Sequence, residues 1–241
     1  MENLELLSDL LKNFDITLSD QQILQFQSYY DLLIEWNSFM NLTAITDLDE
    51  VIIKHFVDSI SLVKAFPELG SKEYSIIDVG TGAGFPGIPL KIVFPNLQIT
   101  LLDSLNKRVK FLDHVISNLS LNHIHAVHGR AEDLAKVKEY REQYYLCVSR
   151  AVANLSTLSE YCLPFVKQGG YFVSYKSEKI TDEYEQAHHA IHILGGSFYK
   201  QVDFCLPNTD IYRNLFVIEK MKSTPLKYPR KAGLPSKEPL T

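Results

Sequence analysis

The sequence predicts an α/β fold: a largely parallel sheet covered by helices and preceded by an all-helical region. Three observations predict it. From Tyr74 onward, seven short apolar runs alternate with helical patterns. Before Tyr74 the apolar residues recur at helical spacing. A glycine-rich turn follows the first apolar run, where a strand–turn–helix unit commonly holds a ligand.

Residues 3–13 read as a short helix. Ser19 and Gln22 make a capping box for a longer one, whose Ile23, Phe26, Tyr30, Leu33, Ile34 and Trp36 follow at roughly helical spacing. Asp47 and Glu50 offer another start before VIIKHFVDSISLVKAF, and Pro67 and Gly70 close the region. YSIIDVG and LQITLLDS read as the first two strands. Between them GIPLKIVF is a helix, with Pro89 in its first turn and Pro95 past its end. NKRVKFLDHVISNL is an amphipathic helix. HIHAVHG, YYLCVSRAV and GGYFVSYK are the third to fifth strands, DEYEQAHHAIHIL is a helix, and FYKQVDFCL and YRNLFVIEK close the sheet. Residues 223–241, with four prolines and little periodicity, read as an extended basic tail. The expected organisation is therefore a helical region over 1–70, a ligand-binding α/β core over 71–222 and a tail over 223–241.

Composition restricts the function classes. The chain has 241 residues, 46% of them hydrophobic and 22% charged, the profile of an ordinary soluble globule. It has no apolar run of eighteen residues, so a membrane span is not expected. The acidic N-terminus MENLELLSDLLKNF lacks the marks of a signal peptide, and a cytoplasmic location is expected. Cys147, Cys162 and Cys205 are too few and too scattered for a disulfide framework and read as buried thiols. His123, His125 and His128 alternate between strand faces, and His188, His189 and His192 have no acidic or thiol complement, so no metal is expected. The net charge of -5 is uneven: residues 1–70 carry -9, whereas residues 213–241 carry +5. A basic face on an acidic protein suits a polyanion, although solvation alone explains such a segment equally well.

The glycine-rich turn is Asp78-Val79-Gly80-Thr81-Gly82-Ala83-Gly84-Phe85-Pro86-Gly87. A phosphate loop is excluded, because GxxxxGK[ST] is absent. A dinucleotide site has the right outline, since Asp103 closes the next strand and a carboxylate there accepts bonds from two ribose hydroxyls. However, the glycines run GxGxG, and Asp78 stands two residues before the first. A carboxylate there disfavours a pyrophosphate but suits the cationic amino acid end of S-adenosylmethionine. Gly129-Arg130-Ala131-Glu132-Asp133 follows the third strand, where backbone groups can hold adenine. A tight structural turn with surface acids remains the alternative.

At this point a resemblance covers essentially the whole chain. WNSFMNLT at 36–43, HFVDS at 55–59, DVGTGAGFPGIPL from 78, GRAED at 129–133, SRAV at 149–152, the Tyr175-Lys176 pair and YPRKAGLP at 228–235 resemble the bacterial methyltransferases of a guanine N7 in small-subunit (16S) ribosomal RNA. One departure is Ser177, where glycine is expected after Lys176. The resemblance implies a Rossmann-like methyltransferase sheet with an antiparallel edge, and S-adenosylmethionine as cofactor. It implies a cofactor pocket at Gly80, Gly82, Phe85, Ala131, Glu132 and Arg150, supported by Asp78 and Asp103. The implied partner is 16S ribosomal RNA, the small subunit or its assembly intermediate. A monomer is expected.

Guanine N7 carries an in-plane lone pair, so its methylation needs positioning and electrostatics more than a general base. Arg150, Lys176 and His55 are the candidates for that work. Arg150 ends the fourth strand; bidentate reading of O6 and N7 would block the acceptor, so it should hold phosphate, the cofactor carboxylate or O6 alone. Lys176 is a candidate phosphate contact. His55 and Asp58, three apart, can interact on one helix face at the RNA entrance. Trp36, Asn37 and Asn41 are candidates to join the helical region to the sheet. The bases Lys107, Arg108, Lys176, Lys179 and the tail favour RNA over the other readings, a small-molecule or protein methyltransferase and a non-catalytic nucleotide-binding protein.

Overall fold

The computed structural model describes residues 4–150, 153–178 and 180–240. Ala151 and Val152 of the SRAV motif, Lys179 and the first residue of the helix expected from residue 3 lie outside them.

Three helical stretches come first. α1 (Glu5–Leu11) runs into a 3-10 turn, and α2 (Asp20–Met40) starts at the expected capping box, with both Ser19–Gln22 bonds made. α2 stops at Asn41, whose left-handed φ of 50° asparagine tolerates. α3 (Leu48–Val51) begins where Asp47 accepts the Glu50 N–H, then widens into a π-helical segment (Ile52–Val57) before α4 (Asp58–Ile60).

The sheet has the order β3-β2-β1-β4-β5-β7-β6. Its strands are β1 (Ser75–Val79), β2 (Gln98–Asp103), β3 (Ile124–His128), β4 (Tyr144–Ser149), β5 (Val166–Lys176), β6 (Gly196–Cys205) and β7 (Tyr212–Lys220). All seven apolar runs became strands. β1 to β5 are parallel; β7 is antiparallel to both β5 and β6 and lies second from the edge. The chain moves outward from β1 through β2 to β3, then returns to β4 on the other side of β1. That reversal opens a crevice at the carboxyl ends of β1 and β4.

Strand alternation divides the core in two. Ile76, Val148, Val173 and Val217 face one cluster, shared with Leu7, Phe26, Tyr29, Leu33 and Phe56 of the helical region and with α5 (Gly87–Val93) and α6 (Asn106–Asn118). Their neighbours Ile77, Cys147, Phe172 and Phe216 face the other, against α8 (Leu155–Cys162) and α9 (Thr181–Ile193). The first seventy residues thus share the sheet's own core. Trp36 is half-buried against Phe111 and His114 of α6 and so ties α2 to that helix, whereas the Asn37 carboxamide accepts the Thr43 N–H at 2.9 Å and holds only the loop that follows α2.

Three expectations need correction. α8 and the short α7 (Ala131–Leu134) were not expected; Asn154 caps α8 by accepting the Thr157 N–H. Cys205 is exposed, because β6 is the edge strand and alternates outward. The tail is not a free basic arm. Arg230 makes a two-pronged pair with the buried Glu160, and just before the tail, in β7, Lys220 is buried on Leu163 and Thr224 and the Arg213 charge turns inward to Asp58. A short helix, α10 (Leu234–Lys237), lies near its end.

Candidate active site

The glycine-rich turn is held by the carboxylate that opens it. Asp78 is fully buried, and its Oδ2 accepts the Thr81 hydroxyl at 2.7 Å and the Gly87 N–H at 2.9 Å. The turn is thereby folded back onto the start of α5. A Cβ at Gly87 would lie 2.2 Å from Leu101 Cδ2 and 3.0 Å from Asp78 Oδ2, so a larger residue there would have to displace the buried Leu101. Asp78 Oδ1 has no hydrogen-bond partner, and burial pushes the carboxyl up to about 6. Asp103, at the end of β2, accepts the Gly82 N–H at 2.9 Å through Oδ2 and the Leu105 N–H at 2.9 Å through Oδ1, with Arg108 at 3.4 Å. Tyr29 reaches from α2 to donate to the Ala83 carbonyl at 2.6 Å.

Two cavities open at the carboxyl edge. The first, about 390 Å³, is lined by Gly80, Ala131 and the Glu132 carboxylate and by the larger apolar side chains Leu102, Leu105, Leu158 and Tyr161. Gly233 of the tail also lines it, and its N–H donates to Glu132 Oε1 at 2.8 Å. The second, about 610 Å³, is lined by Lys54, His55, Asp58, Arg150, Lys176, Glu183 and Arg213. Ala153 lines both, while the successive residues Ser149 and Arg150 each line one. The end of β4 is therefore the partition.

Arg150 is the hub of the second cavity. Its Nη1 donates to Asp58 Oδ2 and to the Lys54 carbonyl, both at 3.1 Å, and its guanidinium lies 5.1 Å from the Phe85 ring centroid. The π-helical segment brings Lys54 and His55 to this position. His55 stacks on Phe85 with centroids 4.6 Å apart and pairs with the Thr43 hydroxyl at 2.9 Å. Burial first, then the nearby Arg150 charge, lowers its pKa to about 3, so the imidazole is neutral at physiological pH. Asp58 does not bond to His55 as the spacing suggested; its two oxygens take Arg150 and Arg213, the latter at 2.9 Å. Lys176 is engaged too, with Glu183 at 2.7 Å and the Ala153 carbonyl at 2.9 Å.

Of the expected cofactor residues, the structure brings Gly80, Ala131 and Glu132 to the walls of the first cavity. Asp78, Gly82 and Asp103 shape the turn behind it. Phe85 is buried beneath His55 and Arg150, and Arg150 lines the second cavity. Arg213, Glu183, Tyr161 and Gly233 were not singled out from sequence. Only Gly233 stood in a quoted motif, YPRKAGLP, and there it was read as tail. Among the described residues, no three His, Cys, Asp or Glu side chains are grouped to hold a metal, and no helix is long and apolar enough to cross a membrane.

A family model described as rRNA small subunit methyltransferase G matches residues 22–211. The chain belongs to this family. Curated relatives called ribosomal RNA small subunit methyltransferase G include that of Lachnoclostridium phytofermentans, 54% identical over 95% of this chain and 94% of its own length. That of Alkaliphilus metalliredigens is 50% identical over 100% of both chains. Among solved structures, fibrillarin of Aeropyrum pernix with natively bound S-adenosyl-L-methionine aligns with a TM-score of 0.51 at 16% identity, over 66% of this chain and 72% of that one. M. jannaschii TYW2 in complex with AdoMet aligns with a TM-score of 0.51 at 14% identity, over 68% and 77%. These two likenesses bear out the Rossmann-like sheet, and the relatives bear out the resemblance to small-subunit ribosomal RNA methyltransferases.

Proposed function

We propose that this member of the small-subunit rRNA methyltransferase G family transfers a methyl group from S-adenosylmethionine to N7 of one guanine in 16S ribosomal RNA, working as a cytoplasmic monomer. The observation that carries the reading is the pair of cavities meeting at Ser149 and Arg150, one with apolar walls beside the Glu132 carboxylate, the other lined by Lys54, Arg150, Lys176 and Arg213 together with Asp58, Glu178 and Glu183.

The first cavity fits the cofactor. Leu102, Leu105, Leu158 and Tyr161 offer apolar walls to an adenine, and Glu132 offers a carboxylate beside them. Behind that cavity, the buried Asp78 Oδ1 has no partner, and the ammonium group of the cofactor is the kind of donor that would satisfy it. When bound, the cofactor supplies an electrophilic methyl group on a sulfonium.

In the second cavity the protein's own groups position and polarise the acceptor base. Guanine N7 needs no deprotonation, and no charged imidazole stands there to compete for its lone pair. Arg150 is fixed by Asp58 and Lys54, so it can meet O6 or a phosphate without reorganising. Arg213 and Lys176 extend the same cationic lining toward the RNA backbone.

The test is incubation of the protein with labelled S-adenosylmethionine and 16S ribosomal RNA lacking this modification, followed by nucleoside mass spectrometry. One 7-methylguanosine per RNA is expected. Label in a different nucleoside, or in small molecules or protein only, overturns the reading.

A further inference from the structure

Residues 228–240 are fastened over α8, with Tyr228 and Leu240 packed on the core between that helix and the sheet. The Arg230 guanidinium grips Glu160, whose side chain is 1% exposed, through Nε at 3.0 and 3.1 Å and Nη2 at 2.8 Å, while the Arg230 N–H adds a fourth bond at 2.7 Å. Further along, Thr157 donates to the Pro235 carbonyl at 3.0 Å, and Ser156 donates to the Leu240 carbonyl. Upstream, Arg141 donates to the carbonyls of Thr224 and Tyr228, at 2.7 and 3.0 Å. Between these anchors the chain brings Gly233, with φ of 81°, to the wall of the first cavity and onto Glu132.

We propose that this strap forms the outer wall of the nucleoside end of the cofactor cavity, and that Glu160 and Arg230 are a positioning pair for the cofactor. The pair sets Gly233, and the Gly233 N–H orients the Glu132 carboxylate. The inference rests on reading the first cavity as the S-adenosylmethionine site. It assigns the nucleoside end because the apolar residues nearest the strap, Leu158 and Tyr161, belong to α8, the helix that the strap clasps. An adenine enclosed between α8 and the end of β2 would lose its wall if the strap lifted.

Binding of S-adenosylmethionine and of adenosine to the full chain, measured by calorimetry, tests this alongside hydrogen exchange of residues 228–240. The variants are Arg230→Ala, Arg230→Lys and Gly233→Ala. Arg230→Ala, which releases the strap, and Gly233→Ala, which strains the φ of 81° and shifts the N–H that meets Glu132, are each expected to weaken both ligands by about tenfold. Arg230→Lys should recover part of it, and bound cofactor should slow exchange in the strap. Gly233→Ala keeps the latch intact, so it remains informative if Arg230→Ala does not fold. A latch that only stabilises the fold would lower the Tm and leave the affinity of folded variants unchanged; that result overturns the proposal while the cofactor reading stands. Wild-type protein that binds neither ligand overturns both.

Discussion

Asp58 and Arg150 form an ion pair at 3.1 Å that links α4, in the N-terminal helical region, to the carboxyl end of β4. The Asp58 side chain is 4% exposed and takes Arg213 with its other oxygen. Each guanidinium therefore lines the second cavity in a fixed pose.

Replacing Arg150 by alanine should lower kcat/KM for methyl transfer by about 100-fold or more, the usual size when one preorganised donor is removed. Arg213 still pairs with Asp58, so unfolding free energy should fall by only about 1–3 kcal/mol. Steady-state kinetics and urea unfolding check the two parts.

Asp58→Ala is expected to be the more destabilising change. It leaves two partly buried guanidiniums facing each other, and breaking such a pair costs about 3–5 kcal/mol. Some relief through the open cavity places the expected loss near the lower end. Arg213→Ala should cost less, because Arg150 keeps the carboxylate company. Chemical denaturation of the three single variants ranks them.

Two buried groups give opposite pH dependences to the unliganded protein. Asp78 is raised to about 6 from 3.8, so its contribution is fully present below about 4 and lost as pH rises through 6. His55 is lowered to about 3 from 6.5, so its contribution is present above 6.5 and lost as pH falls toward 3. Between pH 4 and 6 the slopes oppose. His55→Gln should leave stability falling as pH rises through that window, and Asp78→Asn should leave it rising. Thermal unfolding across pH 4–7 reads both.

The same Asp78 shift sets the pH dependence of cofactor binding. An ammonium partner favours the ionised carboxylate, so affinity should weaken as pH falls below about 6. Asp78→Asn should bind less tightly at pH 7 and lose that dependence in calorimetry. The kcat profile between pH 7 and 8 should stay flat in wild type, since His55 is already neutral there.

Lys176→Ala should raise KM for RNA more than it lowers kcat, and reduce the salt slope of RNA binding by about 1 if the lysine meets one phosphate. An unchanged salt slope would leave Lys176 as the partner of Glu183 alone.

Much of this was legible in the residues, and the failures have physical causes. β1 to β7 were readable because each buried run is bounded by turn residues, and Ser19–Gln22 marked a helix start that the structure keeps. α8 does not stand out in the sequence, although Asn154 is a capping residue and Leu155, Leu158 and Cys162 recur on one face, because its polar Ser156, Thr157 and Ser159 dilute the pattern. Local spacing proposed Asp58 for His55, but the long-range partners Arg150 and Arg213, 92 and 155 positions away, hold its charge. A list of basic residues cannot show which charges turn inward. In residues 213–241, Arg213, Lys220 and Arg230 do so, while Lys222, Lys227, Lys231 and Lys237 remain outside.

The π-helical segment at Ile52–Val57 also frees a backbone acceptor. Such a segment fits about one extra residue into a turn, so the Asp58 N–H reaches back to the Ile53 carbonyl and leaves the Lys54 carbonyl to Arg150. Deleting a single residue there would let the segment relax into regular α-helix with its flanks nearly in phase, because a turn that loses its extra residue is still one turn. The Lys54 carbonyl would then return to the helix ladder, and Arg150 would lose one of its anchors. A better-formed helix would then carry a looser site.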